Sequence, residues 1–184
     1  INSDNQSRYD SAFGTHASHA PGPMNTQFNV LNGHINLQRK YFDLRFWAYN
    51  SIDSGARSGT ANALDPKGRA NGIEYLGDLR LSTEDWFKDW ELNLHLSYLY
   101  ANFKAKLQAF PDHSKLPIGP DGNIQGVNSN APLVDFPDGA NVNLGRIENI
   151  PAIQFSSEYR GITAHKLRSG FEFRREQIVT NSQT

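Results

Sequence analysis

The 184-residue chain has no cysteine, no long apolar run and no marked excess of either charge. Without cysteine there is neither a disulfide framework nor a thiolate metal site, and the compartment stays open. No stretch approaches the roughly 20 apolar residues that a spanning helix needs. With 38% hydrophobic residues and a mean hydropathy of −0.61, a helical membrane protein is excluded. A net charge of −1 supplies no basic face of the kind that nucleic-acid binding demands. The glycines lack the GxGxxG and GxxxxGKS spacings of phosphate-cradling loops. The polar opening, INSDNQSRYDS, has no charged segment followed by an apolar one, so no signal peptide is expected.

What the chain does have is alternation. In DWFKDWELNLHLSYLYANF (Asp85–Phe103) the even positions from Trp90 read Trp90, Leu92, Leu94, Leu96, Tyr98 and Tyr100, and the odd positions begin Glu91, Asn93, His95 and Ser97. A period of two with one apolar and one polar side is the pattern of a strand. At about 3.4 Å per residue and a tilt of roughly 45°, Trp90 to Tyr100 spans about 24 Å of height. The apolar band of a transmembrane β-barrel is about 25 Å tall, with aromatic girdles at both rims.

The rest of the chain repeats this pattern. Residues 28–50 read as a hairpin, with Leu31, Gly33, Ile35 and Leu37 followed across a short turn by Phe42, Leu44, Phe46 and Ala48. Residues 73–103 form a second, and 152–177 a third, in which Ile153, Phe155 and Tyr159 precede Leu167, Phe171 and Phe173. Between them, residues 51–71 and 104–151 are expected to be long loops, the latter holding six of the nine prolines. Structureless loops this long are uncommon in a compact soluble domain. Short turns on one side and long loops on the other are ordinary in outer-membrane barrels. Tyr41 and Phe42, and Trp86, Phe87 and Trp90, cluster beside two of the short turns, the level at which amphipathic rings settle in a lipid–water boundary. The expected fold is therefore all-β: about six antiparallel up-and-down strands forming part of a transmembrane β-barrel wall.

On that reading Asp43, Arg45, Asp78, Arg80, His95, Glu158 and Arg160 face the barrel lumen, as does His34. They are candidate contacts for a ligand or plug, with hydrated wall residues as the simpler reading. Asp85 with Asp89, and Glu172 with Glu176, read as turn and rim residues, so no catalytic constellation is expected. His16 and His19 are expected to be solvated, because no other residue has ligand spacing to them. No metal or cofactor is expected.

The block GTANALDPKGRANGIEYLGDLRLS (Gly59–Ser82) and the segment HKLRSGFEFRRE (His165–Glu176) resemble recurrent stretches of TonB-dependent outer-membrane receptors. With the hairpin spacing, the resemblance covers most of residues 28–177. It implies a roughly 22-stranded, plugged barrel that takes up an iron chelate, haem or cobalamin with energy supplied through TonB. It also implies a bacterial outer-membrane location, with lipid, the remaining barrel, the plug and the TonB complex as partners. The sequence has no TonB-box-like start, plug domain or terminal aromatic, so it is expected to be one segment of such a barrel, with ligand contacts mostly from 51–71 and 104–151. The alternatives are a secreted β-sandwich binding module, perhaps for carbohydrate, and an enzyme domain of propeller or jelly-roll type.

Overall fold

The computed structural model describes residues 14–57, 64–84, 86–126 and 129–183. Asp85, residues 1–13 of the expected opening loop, and residues 58–63 of the expected 51–71 loop lie outside the described residues.

Nine strands and no helix occur among the described residues. They are β1 (Val30–Arg39), β2 (Phe42–Gly55), β3 (Arg69–Ser82), β4 (Trp90–Phe110), β5 (Ser114–Pro117), β6 (Leu133–Phe136), β7 (Ala140–Ile162), β8 (His165–Arg174) and β9 (Gln177–Gln183). All pairings are antiparallel. The main sheet runs β1-β2-β3-β4-β7-β8, β9 also lies against β7, and β5 and β6 form a separate two-stranded sheet. The main sheet is open, with β1 at one edge and β8 and β9 at the other.

β8 and β9 act as one interrupted strand. Phe173 pairs with Ile153 and Ile178 with Glu148, so the register carries through the break unchanged. The break faces Pro151, whose carbonyl accepts the Arg175 N–H at 3.1 Å. Proline has no N–H to return that bond, so the ladder lapses for two residues. The main sheet thus contains six strand positions joined consecutively, as the alternation predicts.

The strands outrun their expected ends. β2 continues to Gly55, β3 begins at Arg69, β4 runs to Phe110, and β7 begins at Ala140. Among the described residues the intervals 51–71 and 104–151 are therefore loops only within 56–57, 64–68, 111–126 and 129–139, and the second interval holds the β5–β6 pair. Of residues 178–184, expected to run off as polar sequence after the third hairpin, 178–183 are paired in β9. The reason is a change of phase in β4. Below Tyr100 its apolar residues are even-numbered; above it they are Phe103, Ala105, Leu107 and Ala109, with Lys104, Lys106 and Gln108 between. Alternation persists, but the apolar side changes face.

Register turns these strands into rows. Leu37, Leu44, Leu79, Leu96, Ile153 and Phe173 are successive partners across all six positions. The adjacent row, Gln38, Asp43, Arg80, His95, Gln154 and Glu172, is polar throughout and points to the opposite face. Higher on the apolar face the rows become polar: Asn71, Lys104, Gly145 and Asn181, then Arg69, Lys106, Asn143 and Gln183. Among the described residues no second sheet seals the apolar rows. Phe46 is 42% exposed and Phe171 58%. The buried apolar residues, Ala17, Leu64, Ala105, Ala109 and Leu116, lie at the long-loop end instead.

Candidate functional site

Two regions could contact a ligand: the polar face, and the loops gathered at one end of the sheet.

All seven sequence-predicted residues lie on the polar face, and register joins them into small clusters. Asp43 pairs with Arg45 at 2.6 Å. His95 Nε2 lies 2.5 Å from an Asp78 oxygen, its Nδ1 lies 3.0 Å from Gln154 Oε1, and Arg80 meets Asp78 at 3.2 Å. Glu158 is engaged by Arg160 and by Arg168, the latter at 2.7 Å, while Arg160 also reaches Glu91 at 2.6 Å. A cavity of about 380 Å³ on this face is lined in part by His34, Asn36, Arg45, Trp47, Asp78 and Arg80. Most of the cationic heads stand out in solvent, Arg45, Arg80 and Arg160 each being more than half exposed. Paired surface charges of this kind order water and present alternating hydrogen-bond partners without adding much stability.

The loop end is built differently. Asp65 is fully buried. One carboxylate oxygen accepts the N–H of Lys67 at 2.9 Å and of Gly68 at 2.6 Å, and the other accepts the N–H of Gln108 at 2.6 Å. The run Asp-Pro-Lys-Gly favours this local turn, because an aspartate caps the N–H groups just after it. The third bond stitches the β2–β3 loop to the end of β4. Asn25 Nδ2 donates to the Gly68 carbonyl at 3.0 Å. Ser114, also fully buried, donates to the Pro111 and His16 carbonyls, and the Lys115 N–H donates to the Thr15 carbonyl at 2.7 Å. The stretch before β1 is thereby tied to both long connections.

His16 and His19 do not converge on a common ligand-like centre; His19 lies 3.5 Å from Gln108 Oε1. No group of three or more His, Asp or Glu is placed to hold a metal ion among the described residues. Asp121, in the longer loop, is held below the usual carboxylate range chiefly by the Asn123 side chain, which donates to it at 2.8 Å.

Sequence reading did not single out Asp65, Gln108 or Ser114. The Asp-Pro-Lys-Gly turn was the available signal for Asp65; Gln108, the partner it reaches 43 positions away in sequence, carries none. Comparisons with protein families, with curated proteins and with solved structures each returned no match.

Proposed function

We propose that this chain forms part of the wall of a transmembrane β-barrel in a bacterial outer membrane. The barrel belongs to an active-transport receptor that takes up a scarce ligand of the iron-chelate, haem or cobalamin type with TonB-supplied energy. The observation that carries the wall reading is the six-strand apolar row centred on Leu96, backed by a six-strand polar row and covered by no other part of the described chain. In water such a face would gather a second layer; against hydrocarbon it needs none. The turn to Lys104 and Lys106 above the apolar rows supports a lipid–water boundary there, and Trp86, Trp90 and Tyr159 support one at the short turns. A β-sandwich would require a sheet over Phe46 and Phe171, both exposed. The transport reading rests further on the receptor-like segments Gly59–Ser82 and His165–Glu176, with recognition assigned to the long loops and the polar face rather than to catalysis.

Because the chain has no native cysteine, single cysteines placed in turn from Leu94 to Tyr98 of the full chain in vesicles can carry spin labels. The wall reading expects labels at Leu94, Leu96 and Tyr98 to collide with dissolved oxygen, and those at His95 and Ser97 with a water-soluble nickel chelate. Loss of that alternation removes the reading. Ligand uptake by cells bearing the full chain, abolished by an uncoupler, tests the transport step.

A further inference from the structure

The polar face is not polar throughout. In the next row above Arg45 and Asp78, Trp47, Leu76, Leu99 and Ile150 are successive partners on that face. Leu76 is 40% exposed, and Trp47 stacks on Tyr49 with ring centroids 5.9 Å apart and planes 19° apart. Apolar side chains gathered on a face that otherwise meets water mark a place where another molecule sits.

The cavity of about 380 Å³ on this face joins that row to the charges below it. Its lining includes Trp47 and Leu76 from the apolar row, Asn36, Arg45 and Asp78 from the row beneath, and Arg80 from the one below that. The volume falls within the roughly 300–1,000 Å³ of small-molecule sites. The two signs of charge are not equally on offer. The side chains of Arg45 and Arg80 are 52% and 55% exposed, those of Asp43 and Asp78 only 17%, so an incoming molecule meets guanidinium rather than carboxylate. Arg45 already bonds both oxygens of Asp43 through Nε and Nη2. Arg80 stands 3.2 Å from Asp78 Oδ1 as a countercharge, but that oxygen accepts no hydrogen bond, and the Arg80 side chain donates none among the described residues. His95 holds Asp78 from the other side and Gln154 holds His95, so the carboxylate beside Arg80 is itself fixed. A guanidinium with its donors free matches a carboxylate through two parallel hydrogen bonds.

We propose that this cavity is a binding site for a small aromatic carboxylate: its ring lies against Trp47 and Leu76, and its acid group is held by Arg80 with Arg45. The site rests on the reading of the polar face as the ligand's side of the wall, and adds to it a ligand class and a position. The apolar row by itself would take any hydrocarbon, and the guanidinium any acid. Because both line one cavity, they favour a flat molecule that carries both groups, while an aromatic amine would meet the same cations and be repelled.

The test is a saturation-transfer NMR titration of the full chain in phosphatidylcholine vesicles, with protein-free vesicles subtracted. Benzoate is the probe, compared with benzyl alcohol, which lacks the acid, and cyclohexanecarboxylate, which lacks the flat ring. Benzoate is expected to bind saturably and about tenfold more tightly than the alcohol, the scale of a charged hydrogen-bonded pair. Arg80→Gln should weaken benzoate about tenfold and leave the alcohol unchanged, a split that general damage to the sheet would not produce. Arg80→Lys keeps the charge without the fork and should recover only part of the loss. Trp47→Leu should weaken benzoate about fivefold and cyclohexanecarboxylate little. Arg174→Gln, in the Asp78 row but three strands away, should change nothing. Equal affinity for acid and alcohol, or benzoate binding untouched by Arg80→Gln, overturns the site. So does an absence of saturable binding, which would mean that another part of the full chain fills the cavity. In each case the alternation of spin labels along β4 persists and the wall reading stands; loss of that alternation removes both.

Discussion

His95 and Leu96 are consecutive in β4, yet each belongs to a complete six-strand row of its own kind, His95 among polar partners and Leu96 among apolar ones. The pleat puts the two rows on opposite faces, so one residue of slip would carry every apolar side chain of the sheet to the polar face. Leu96 also lies midway between the aromatic row at Trp90 and the row of Asn102, above which Lys104 begins the polar outer surface. Leu96→Arg is therefore expected to cost about 2–4 kcal/mol of folding free energy in a bilayer, falling to about 0–1 kcal/mol for arginine at Trp90 or Asn102. Urea titration of the full chain refolded into vesicles measures all three. A flat cost along β4 contradicts the placement.

Asp65 governs the opposite end. Replacing it by alanine removes the acceptor for the Lys67, Gly68 and Gln108 N–H groups. Each one left buried and unpaired costs about 1–3 kcal/mol. Asp65→Asn keeps one side-chain oxygen and should lose less. Because these bonds lie above the apolar rows, the loss should be local. Amide exchange is expected to quicken at Gly68 and Gln108 and stay slow at Leu79 and Leu96. Uniform acceleration throughout would mean that the loop assembly and the sheet are one cooperative unit.

Glycines separate the same two regions. A methyl group at Gly68 would overlap the Asp65 carboxylate and come within 2.7 Å of Ala56 Cβ; at Gly55 it would overlap Asn25. Alanine at Gly68 is expected to destabilise the loop assembly by about 1–3 kcal/mol, since its surroundings cannot yield without breaking the carboxylate's bonds. Gly33 and Gly77 lie in apolar-face rows and have nothing within 4 Å of an added methyl. Alanine there should be neutral or stabilise by up to about 1 kcal/mol, through lower backbone entropy in the unfolded chain. Unfolding curves of the four variants decide the matter, and a large loss at Gly77 would show that something does pack against that face.

Most of the sheet was readable because strand alternation is a local signal. From Trp90 to Tyr100 every second side chain announces its face, and the register then gathers Asp43, Arg45, Asp78, Arg80, His95, Glu158 and Arg160 on the one polar face. What misled the reading was a local signal that changed phase. Phe103, Ala105, Leu107 and Ala109 alternate as regularly as Leu92, Leu94 and Leu96 but on the other parity, so the strand looked ended where it had only exchanged its surroundings. Pro151 deepened the error. Proline usually marks the end of a strand, but here its missing N–H falls opposite the β8–β9 break, and β7 passes through it. The Asp65–Gln108 bond had no local trace at all: it depends on where two connections meet in space.

The edges give the last prediction. β1, VLNGHINLQR, has no proline and no charge before Arg39, and its Leu31, Ile35 and Leu37 are more than half exposed. Strands that end a soluble sheet are guarded by charges, prolines or bulges, because their outward N–H and C=O groups otherwise recruit another chain. An unguarded β1 is what a strand with a further neighbour would look like. β8 and β9 present a second such row of groups on the far side. These 184 residues, expressed by themselves, should therefore associate in water and become monomeric only in detergent, with the detergent covering the apolar rows but not satisfying the edges. Sedimentation in the two solvents measures this. A monodisperse monomer without detergent would mean that the apolar face and both edges are satisfied within the chain itself, leaving neither lipid nor neighbouring strands anything to cover.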